Sequence, residues 1–435
     1  MPDFARHAHP AVQAQLDGLS RLSPGGDVLG LDRITRLLAR LGEPHRRLPP
    51  TFHVAGTNGK GSTCAYLRAC LEAAGHRVHV YTSPHLVRFN ERIRLAGRLV
   101  EDDLLAAVLQ EVLAHADGIG PSFFEATTAA AFLLFARVPA DACVIEVGLG
   151  GRLDATNVLP APVSTGIAAL GLDHQQFLGS RLVDIAAEKA GIAKAGRPLV
   201  TLRYPAPAMR RVEAAASNTG ALWLPQGRAW DARAHPEGFG YRDARGDLLL
   251  PLPRLPGRHQ AQNAGLAVAM LRHQGAVDVP EAALAAGIAG ATWPARLQRL
   301  GPGPLRDRLP AHATLWLDGG HNPSAARAVA ALLQHKPRPR HLVLGLLANK
   351  DAVGMLAALR PLGATLHAVP VPGHDHHPPE ELASLAREAG WSADAHLTVE
   401  AALEAAARDG AGTVLIAGSL YLAGAVLEAN GELPD

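Results

Sequence analysis

The sequence predicts an α/β protein of two domains, each built on a parallel β-sheet. From Thr51 onward, short apolar runs alternate with longer segments of helical periodicity. Strand–helix–strand alternation produces parallel sheets with helices on both faces, because parallel strands need long crossover connections. The chain has 435 residues, which is more than one compact core normally holds.

The first alternating series predicts the sheet of a larger N-terminal domain. Its expected strands are 51–56, 76–82, 141–147, 163–170 and 197–202. The helical patterns of this domain are 60–75, 124–138, 185–196, 259–275 and 279–291. The stretch from Pro205 to Pro256 is less regular, and we interpret it as short antiparallel strands and turns appended to the domain.

A second series predicts a smaller, Rossmann-like α/β domain at the C-terminal end. Its expected strands are 313–319, 341–347, 364–371 and 412–419, with helical patterns between them. The irregular segment between Pro294 and Gly301 separates the two series, so we expect one domain over 1–296 and another over 297–435.

Composition excludes several classes of protein. A formal net charge of +2 favours neither a nucleic-acid partner nor a membrane surface. Cys64, Cys70 and Cys143 contain no C-x-x-C pair, which argues against a disulfide framework and a zinc site. The N-terminal residues do not resemble a signal peptide, and no apolar stretch is long enough for a membrane helix. We therefore expect a cytoplasmic protein.

The segment VAGTNGKGST (54–63) lies where the first strand turns into the first helix of this series. Glycines let the backbone approach an anion, and the helix start adds orphan N–H groups and a favourable dipole. The sequence therefore predicts a P-loop-containing domain that binds ATP through Gly56, Thr57, Asn58, Gly59, Lys60, Gly61 and Ser62. The loop departs from the general pattern, since Val54 replaces a glycine and the hydroxyl of Ser62 comes one position late. The alternative is a glycine-rich turn that caps a helix beside a solvated Lys60.

Polar residues follow three other strands of the series. Ser83, Glu146 and His174 come at or just after the ends of 76–82, 141–147 and 163–170. The carboxyl ends of parallel strands share one edge of the sheet, where ligands bind. Oxygen ligands suit Mg²⁺, so this edge is a candidate metal and phosphate site. The alternatives are an ordinary salt bridge for Glu146 and a helix-start or packed histidine for His174.

Six segments, in order along the chain, carry a family resemblance. They are VAGTNGKGST (54–63), YTSPHLVRFNERI (81–93), IEVGLGGRLDATN (145–157), LDH (172–174), EKAGI (188–192) and LDGGHNP (317–323). The chain resembles the folylpolyglutamate synthase family of the Mur ligase superfamily, and especially its bacterial bifunctional dihydrofolate synthase/folylpolyglutamate synthases. The resemblance implies that ATP phosphorylates a carboxylate and that the amine of L-glutamate attacks the acyl phosphate. The implied acceptors are 7,8-dihydropteroate and reduced folates.

The resemblance also assigns roles to individual residues. It implies that Lys60, Glu146, His174 and Lys189 act in catalysis, and that Ser83, Glu146, His174 and Lys189 lie at the metal positions. Lys189 matches a lysine that the family carbamylates, and as a carbamate it would hold a second Mg²⁺. The rest of the nucleotide is expected at Asn263, Arg296, Asp318 and His321. In this view 1–296 is the ATP-binding domain and 297–435 the glutamate-ligase domain.

For the pteroate, the resemblance implies two segments of the N-terminal domain. The expected residues are Ser122, Phe123, Phe124, Glu125, Leu153, Asp154 and Ala155, with Phe124 as a stacking surface. Core packing at a helix start is the alternative for Phe123 and Phe124. The segment 25–34 matches one that closes over the pteroate.

At two places the sequence departs from the family pattern by carrying one small residue in place of another. Gly319-Gly320 stands where the family usually has Ala before His, and Ala295 stands where Gly is common. Three other functions remain open: a monofunctional folylpolyglutamate synthase, another Mur-type amide ligase, and a nucleotide-regulated binding protein without turnover. We expect a monomer whose partners are small molecules only.

Overall fold

The computed structural model describes residues 7–22, 29–235 and 238–435, so part of the segment 25–34 lies outside the described residues. The chain divides into two compact units. The first contains the chain up to Arg254, Gln260–Thr292 and Asp435, and the second contains Leu255–His259 and Trp293–Pro434. Both units are α/β, and the predicted fold class is confirmed.

The main sheet of the first unit is largely parallel. Its strands are β1 (Thr51–Ala55), β2 (Val78–Tyr81), β3 (Ile93–Leu95), β4 (Arg98–Leu99), β5 (Ala142–Glu146), β6 (Ser164–Ile167), β7 (Pro198–Thr201) and β8 (Leu222–Pro225). They lie in the order β4-β3-β2-β5-β1-β6-β7-β8, and only β3 and β4 run antiparallel to their neighbours. Every residue of β1 and β5 is buried, as expected for central strands covered on both faces.

Helices cover this sheet. They are α1 (Pro10–Leu22), α2 (Asp32–Arg40), α3 (Lys60–Ala73), α4 (Asp102–Ala114), α5 (Phe123–Arg137), α6 (Gln175–Leu178), α7 (Leu182–Ala190), α8 (Ala206–Thr219), α9 (Arg258–Arg272) and α10 (Glu281–Gly290). One apolar core joins α1, α2, α4 and α5 to the β2–β5 side of the sheet. No helix within the described ranges has the length and apolar character of a membrane span.

The interpretation of 205–256 as antiparallel strands and turns is wrong for its first part. Residues 206–219 form α8, and β8 then adds a parallel strand to the main sheet. Ala208, Val212 and Ala216 recur at helical spacing and are buried, and Gly220 ends the helix in the left-handed conformation. The antiparallel prediction holds for β9 (Trp230–His235), β10 (Gly238–Asp243) and β11 (Gly246–Leu250).

The helix predicted over 185–196 is shifted towards the N-terminus, since α7 ends at Ala190. The chain turns at Gly191 because it packs there against Arg152, and a Cβ on Gly191 would lie 2.3 Å from the Cβ of Arg152. Lys189 therefore lies in the last turn of a helix.

The second unit has its own sheet and core. The strands are β12 (Gln298–Arg299), β13 (Thr314–Asp318), β14 (Arg340–Leu344), β15 (Thr365–Ala368), β16 (Ala393–Ala395) and β17 (Thr413–Ala417). Their order is β12-β13-β17-β14-β15-β16, with only β12 antiparallel. The helices are α11 (Pro323–Leu333), α12 (Ala352–Leu359), α13 (Pro379–Glu388), α14 (Val399–Arg408) and α15 (Leu420–Asn430).

Candidate active site

The glycine-rich loop joins β1 to α3, as the sequence predicts. Gly59 precedes α3 with a φ of +85°, a conformation that glycine adopts without strain. The N–H groups of Thr57 and Asn58 donate to the carbonyl of Ala169 at 2.8 and 3.1 Å, so these two amides hold the loop to the end of β6. The amides that remain for an anion are those of the first turn of α3, which lack intrahelical acceptors.

Helix α9 packs against this loop through side-chain amides. A Cβ on Gly59 would lie 2.4 Å from Oδ1 of Asn263, so a larger residue there would displace the Asn263 side chain. Asn263 Nδ2 donates to Gln260 Oε1 at 3.0 Å, and Gln260 Nε2 donates to Ser62 Oγ at 3.3 Å. The structure thus brings Asn263 to the loop, and it adds Gln260, which the sequence analysis missed.

Glu146 connects the loop to the neighbouring strand. It ends β5, which lies between β1 and β2, and its side chain is almost fully buried. Lys60 Nζ lies 3.8 Å from Glu146 Oε1, and the backbone N–H of Ser83 donates to Glu146 Oε2 at 3.4 Å. Lys60 is therefore not a solvated lysine, and of the residues predicted at this edge Ser83 and Glu146 lie together beside it.

Lys189 is the most strongly perturbed lysine near this edge. It is 4% exposed, and burial together with the charge of Lys60 lowers its pKa to about 7. The carboxylates of Asp173, Asp154 and Glu188 oppose this shift. A Cβ on Gly151 would lie 3.0 Å from the Cα of Lys189, so the glycine-rich segment after β5 packs directly on α7.

His174 precedes α6 in a left-handed conformation with a φ of +50° and an exposed side chain. Its backbone N–H donates to Asp173 Oδ1 at 2.9 Å. The charge of Asp173 acts on Lys189, so this turn lies near Lys189. Within the described ranges, no three His, Cys, Asp or Glu side chains group closely enough to hold a metal ion by themselves.

The start of α5 carries a capping box. Ser122 Oγ accepts from the backbone N–H of Glu125 at 3.2 Å, and Glu125 Oε2 accepts from the N–H of Ser122 at 2.6 Å. Arg33 Nε donates to the same Glu125 oxygen at 2.9 Å, which ties α2 to α5. Ser122 and Glu125 thus have structural roles whatever ligand they meet.

The two phenylalanines of this segment differ in their surroundings. Phe123 is 6% exposed and packs edge-on against Phe89, at 6.1 Å between ring centroids. Phe124 keeps part of its surface open and lies 6.1 Å from the ring of Tyr81. A Cβ on Gly148 would lie 2.4 Å from the Phe124 ring, so the segment after β5 passes close to it. Of the pair, only Phe124 offers a ring surface for stacking.

Asp154 and its neighbours follow on that segment. Asp154 is 2% exposed, and burial raises the pKa of its carboxyl. Its Oδ1 accepts from the backbone N–H and hydroxyl of Thr156, and its Oδ2 accepts from the N–H of Leu149 at 2.8 Å. Ala155 is buried and Leu153 is half-buried.

In the second unit, Asp318 ends β13 and organises two loops. Its Oδ2 accepts from the N–H of Leu297 at 2.9 Å, and its Oδ1 accepts from the N–H of Gly320 at 2.7 Å. Ala295 and Leu297 both have positive φ angles, of 54° and 46°, on either side of Arg296. Strained backbone of this kind clusters at functional sites.

Close packing accounts for Gly319, one of the departures from the family pattern. A Cβ there would lie 2.3 Å from Leu420 Cδ2 and 3.3 Å from Arg296 Nη1. His321 follows, with Nδ1 lying 3.1 Å from the carbonyl of Gly319. The structure thus gathers Arg296, Asp318 and His321 at one end of β13.

Comparisons with known proteins found relatives that match most of the chain. The family model of the Mur ligase glutamate ligase domain matches residues 305–420. The dihydrofolate synthase/folylpolyglutamate synthase of Escherichia coli K12 is 35% identical over 404 residues, which cover 92% of this chain and 91% of that protein. This relative decides the family.

The chain belongs to the dihydrofolate synthase/folylpolyglutamate synthase family.

Solved structures of the dihydrofolate synthase/folylpolyglutamate synthase family share the fold over nearly the full length. E. coli FolC in complex with DHPP and ADP superposes with a TM-score of 0.87 at 33% identity and covers 98% of both chains. A bifunctional folylpolyglutamate synthase/dihydrofolate synthase with Mn, AMPPNP and L-glutamate bound has a TM-score of 0.86 at 32% identity, covering 98% of this chain and 99% of that one.

Sequence reasoning missed residues that hydrogen-bond to the predicted site residues. Gln260 had a signal, because it lies three positions before Asn263 and so shares its helix face. Arg33 and Thr156 gave no comparable signal. Arg33 contacts Glu125, which is remote in the sequence, and Thr156 contacts Asp154 within a single turn.

Proposed function

We propose that this chain uses ATP to add L-glutamate to 7,8-dihydropteroate, forming dihydrofolate, and to reduced folates, forming folylpolyglutamates. In each case ATP phosphorylates the acceptor carboxylate, and the amine of glutamate displaces phosphate from the acyl phosphate. The observation that carries the proposal is the grouping of Lys60, Glu146 and Ser83 at one sheet edge beside the helix start.

In this proposal Lys60 and the first turn of α3 hold the terminal phosphates of ATP. A helix start and a lysine stabilise the charge that develops during phosphoryl transfer. The Ser83 hydroxyl, the Glu146 carboxylate and the His174 imidazole would hold Mg²⁺. Such a donor set fits this metal, which keeps several waters and uses few carboxylates. Bound Mg²⁺ would supply further neutralisation of phosphate charge.

Lys189 is proposed to act as a carbamate that holds a second Mg²⁺. As an ammonium beside Lys60 it would add positive charge where metal ions must bind. Burial lowers its pKa to about 7, so a neutral amine that can react with CO₂ is accessible near neutral pH.

The acceptor is proposed to bind at the α5 start and the Asp154 segment. The partly open ring of Phe124 would stack on the pterin, with Ser122, Glu125, Leu153 and Ala155 around it. Phe123 would support the site from the core. In the Asp154 carboxylate, both oxygens are already oriented by hydrogen bonds.

The remaining assignments complete the proposal. Asn263, Arg296, Asp318 and His321 are proposed to bind the nucleotide, with 1–296 as the ATP-binding domain and 297–435 as the glutamate-ligase domain. The strand-end position of Asp318 suits a carboxylate that binds ribose hydroxyls. The protein is proposed to be a cytoplasmic monomer.

A substrate panel tests this function. We expect ADP release that depends on L-glutamate and either dihydropteroate or a reduced folate, with mass spectrometry identifying both products. Glu146→Gln removes the charge but keeps the shape, so we expect kcat to fall about 100-fold. The control is Glu111→Gln, which breaks an ion pair with Arg137 away from the sheet edge.

Three results would contradict the proposal in distinct ways. Products from reduced folates but not from dihydropteroate would indicate a monofunctional folylpolyglutamate synthase. ADP release that requires UDP-linked cell-wall precursors would indicate another Mur-type ligase. ATP binding without any amide product would indicate a nucleotide-regulated binding protein.

A further inference from the structure

His53 is a buried histidine in the middle of an apolar central strand. It lies in β1 between β5 and β6, and its side chain is fully buried. Its Nε2 lies 2.8 Å from Thr156 Oγ1, whereas its Nδ1 has no hydrogen-bond partner in the described part of the chain. A buried nitrogen without a partner destabilises the folded state. An apolar residue would avoid that penalty, so stability alone does not account for a histidine here.

Thr156 connects His53 to Asp154. The Thr156 hydroxyl lies 2.5 Å from Asp154 Oδ1, and the Thr156 backbone N–H lies 3.0 Å from the same oxygen. The Thr156 hydroxyl donates its hydrogen to Asp154 Oδ1, so the hydroxyl oxygen is left to accept from His53. His53 is therefore protonated on Nε2 and bare on Nδ1. In this tautomer Nδ1, the nitrogen without a hydrogen-bond partner among the described residues, carries no proton.

The chain of hydrogen bonds ends at a carboxylate that lies near charged residues of the candidate active site. The Leu149 N–H holds the second oxygen of Asp154 at 2.8 Å, so both oxygens are oriented. Asp154 is close enough to Lys60 and Lys189 to interact with their charges. The orientation of this carboxylate thus depends on a residue that itself lies inside the sheet.

We propose that His53 and Thr156 are positioning residues that hold the Asp154 carboxylate in the orientation the acceptor substrate requires. The inference rests on the proposed function, because it takes Asp154 to be part of the pteroate site. The pterin ring carries N–H groups, and a carboxylate held at both oxygens presents its remaining lone pairs to such donors in fixed directions.

The test compares variants that break the chain with variants that keep it. His53→Leu and Thr156→Val remove one link each, whereas His53→Gln keeps a donor at the ε position and Thr156→Ser keeps the hydroxyl. The matched control is Thr165→Val, which removes the hydrogen bond of another buried hydroxyl, on β6, to the carbonyl of Pro198. Steady-state kinetics give KM for dihydropteroate, KM for ATP and kcat, and thermal unfolding reports folding.

We expect His53→Leu and Thr156→Val to raise KM for dihydropteroate about tenfold, the change expected for one hydrogen bond to a charged group. KM for ATP stays within about twofold, and His53→Gln and Thr156→Ser restore most of the affinity. If Thr156→Val matches Thr165→Val, or if KM for ATP rises equally, the inference is overturned while the proposed function stands. A wild-type chain that forms no product from dihydropteroate overturns both.

Discussion

At the scale of the residue, the charged side chains of the candidate site are largely buried. Glu146 and Lys189 are each at most 5% exposed, and Lys60 is paired with Glu146. Buried charges of this kind persist only when partners or ligands compensate them. The site therefore has an electrostatic character that suits phosphate and metal ions.

Lys189 provides the prediction at this scale. Lys189→Met removes the amine that CO₂ would modify, and we expect kcat to fall about 100-fold or more because the proposed second metal ligand would be lost. Lys194→Met is the matched control, since Lys194 is a nearby lysine that donates to the carbonyl of Asn157 at 2.9 Å. Carbon-13 NMR after exposure to labelled CO₂ should show a carbamate in the wild type and in Lys194→Met, but none in Lys189→Met. A wild-type enzyme that is fully active without any carbamate signal would refute the modification.

At the scale of the element, glycines determine how closely segments approach. Gly59 lets α9 approach the glycine-rich loop between β1 and α3. Gly148 lets the segment after β5 pass the Phe124 ring, and Gly151 lets that segment pack on α7. The sequence motifs GTNGKG and GLGGR therefore have a packing role. The backbone amides of the loop also form two groups. Those of Thr57 and Asn58 donate to the carbonyl of Ala169, whereas those of the first turn of α3 lack intrahelical acceptors.

Gly59→Ala tests this packing. We expect a loss of about 1–2 kcal/mol from the left-handed backbone, together with displacement of Asn263 and a rise of about tenfold in KM for ATP. Gly75→Ala is the control at the other end of the same helix region, because Gly75 has a φ of +88° but a Cβ placed on it would meet no atom within 4 Å. Both variants should lose stability in thermal unfolding, and only Gly59→Ala should lose ATP affinity. Equal KM values for ATP would show that the contact with Asn263 is unimportant.

At the scale of the whole molecule, each unit has its own main sheet, and the second unit contains a chain of three imidazoles, two of them buried. His341 Nδ1 lies 3.0 Å from His367 Nε2, and His367 Nδ1 lies 2.9 Å from His396 Nε2. Asp409 faces His341 at 3.4 Å, and the charges of Asp394 and Arg408 act on His396. Burial lowers the pKa of all three histidines, that of His367 to about 4.

This chain of imidazoles predicts acid sensitivity of the second unit. The folded pKa of His367 lies below the ordinary histidine value of 6.5, so the unfolded chain takes up protons first as the pH falls. We expect the free energy of unfolding to be highest above pH 6.5 and to fall, by on the order of 2–3 kcal/mol, between pH 6.5 and about pH 4.

Thermal unfolding followed across this pH range checks the prediction. His367→Leu should be less sensitive to pH between these limits, whereas His312→Leu, which replaces an exposed histidine of the same unit, should behave as the wild type. Equal pH dependence in all three proteins would show that the imidazole chain does not control acid stability.

The sequence by itself determined the α/β class, the two largely parallel sheets and the glycine-rich loop between β1 and α3, because periodicity and glycine spacing are local properties. The rule for parallel sheets also predicted Ser83, Glu146 and His174 at one edge, and Ser83 and Glu146 do lie in contact there. The structure predicted from the sequence was wrong for residues 206–219 and for the end of α7. The helical spacing of small apolar residues in α8 was overlooked, and α7 ends where Gly191 packs against a distant segment.

Only the tertiary structure decided which residues support the site. Strand order brings β5 between β1 and β2, so Glu146 meets both Lys60 and Ser83. Packing separates the buried Phe123 from the partly open Phe124, although the two are adjacent in the chain. The link from His53 through Thr156 to Asp154 likewise joins a strand to a turn more than a hundred positions later. Contacts of this kind depend on how strands and loops are arranged in space, which local sequence patterns do not encode.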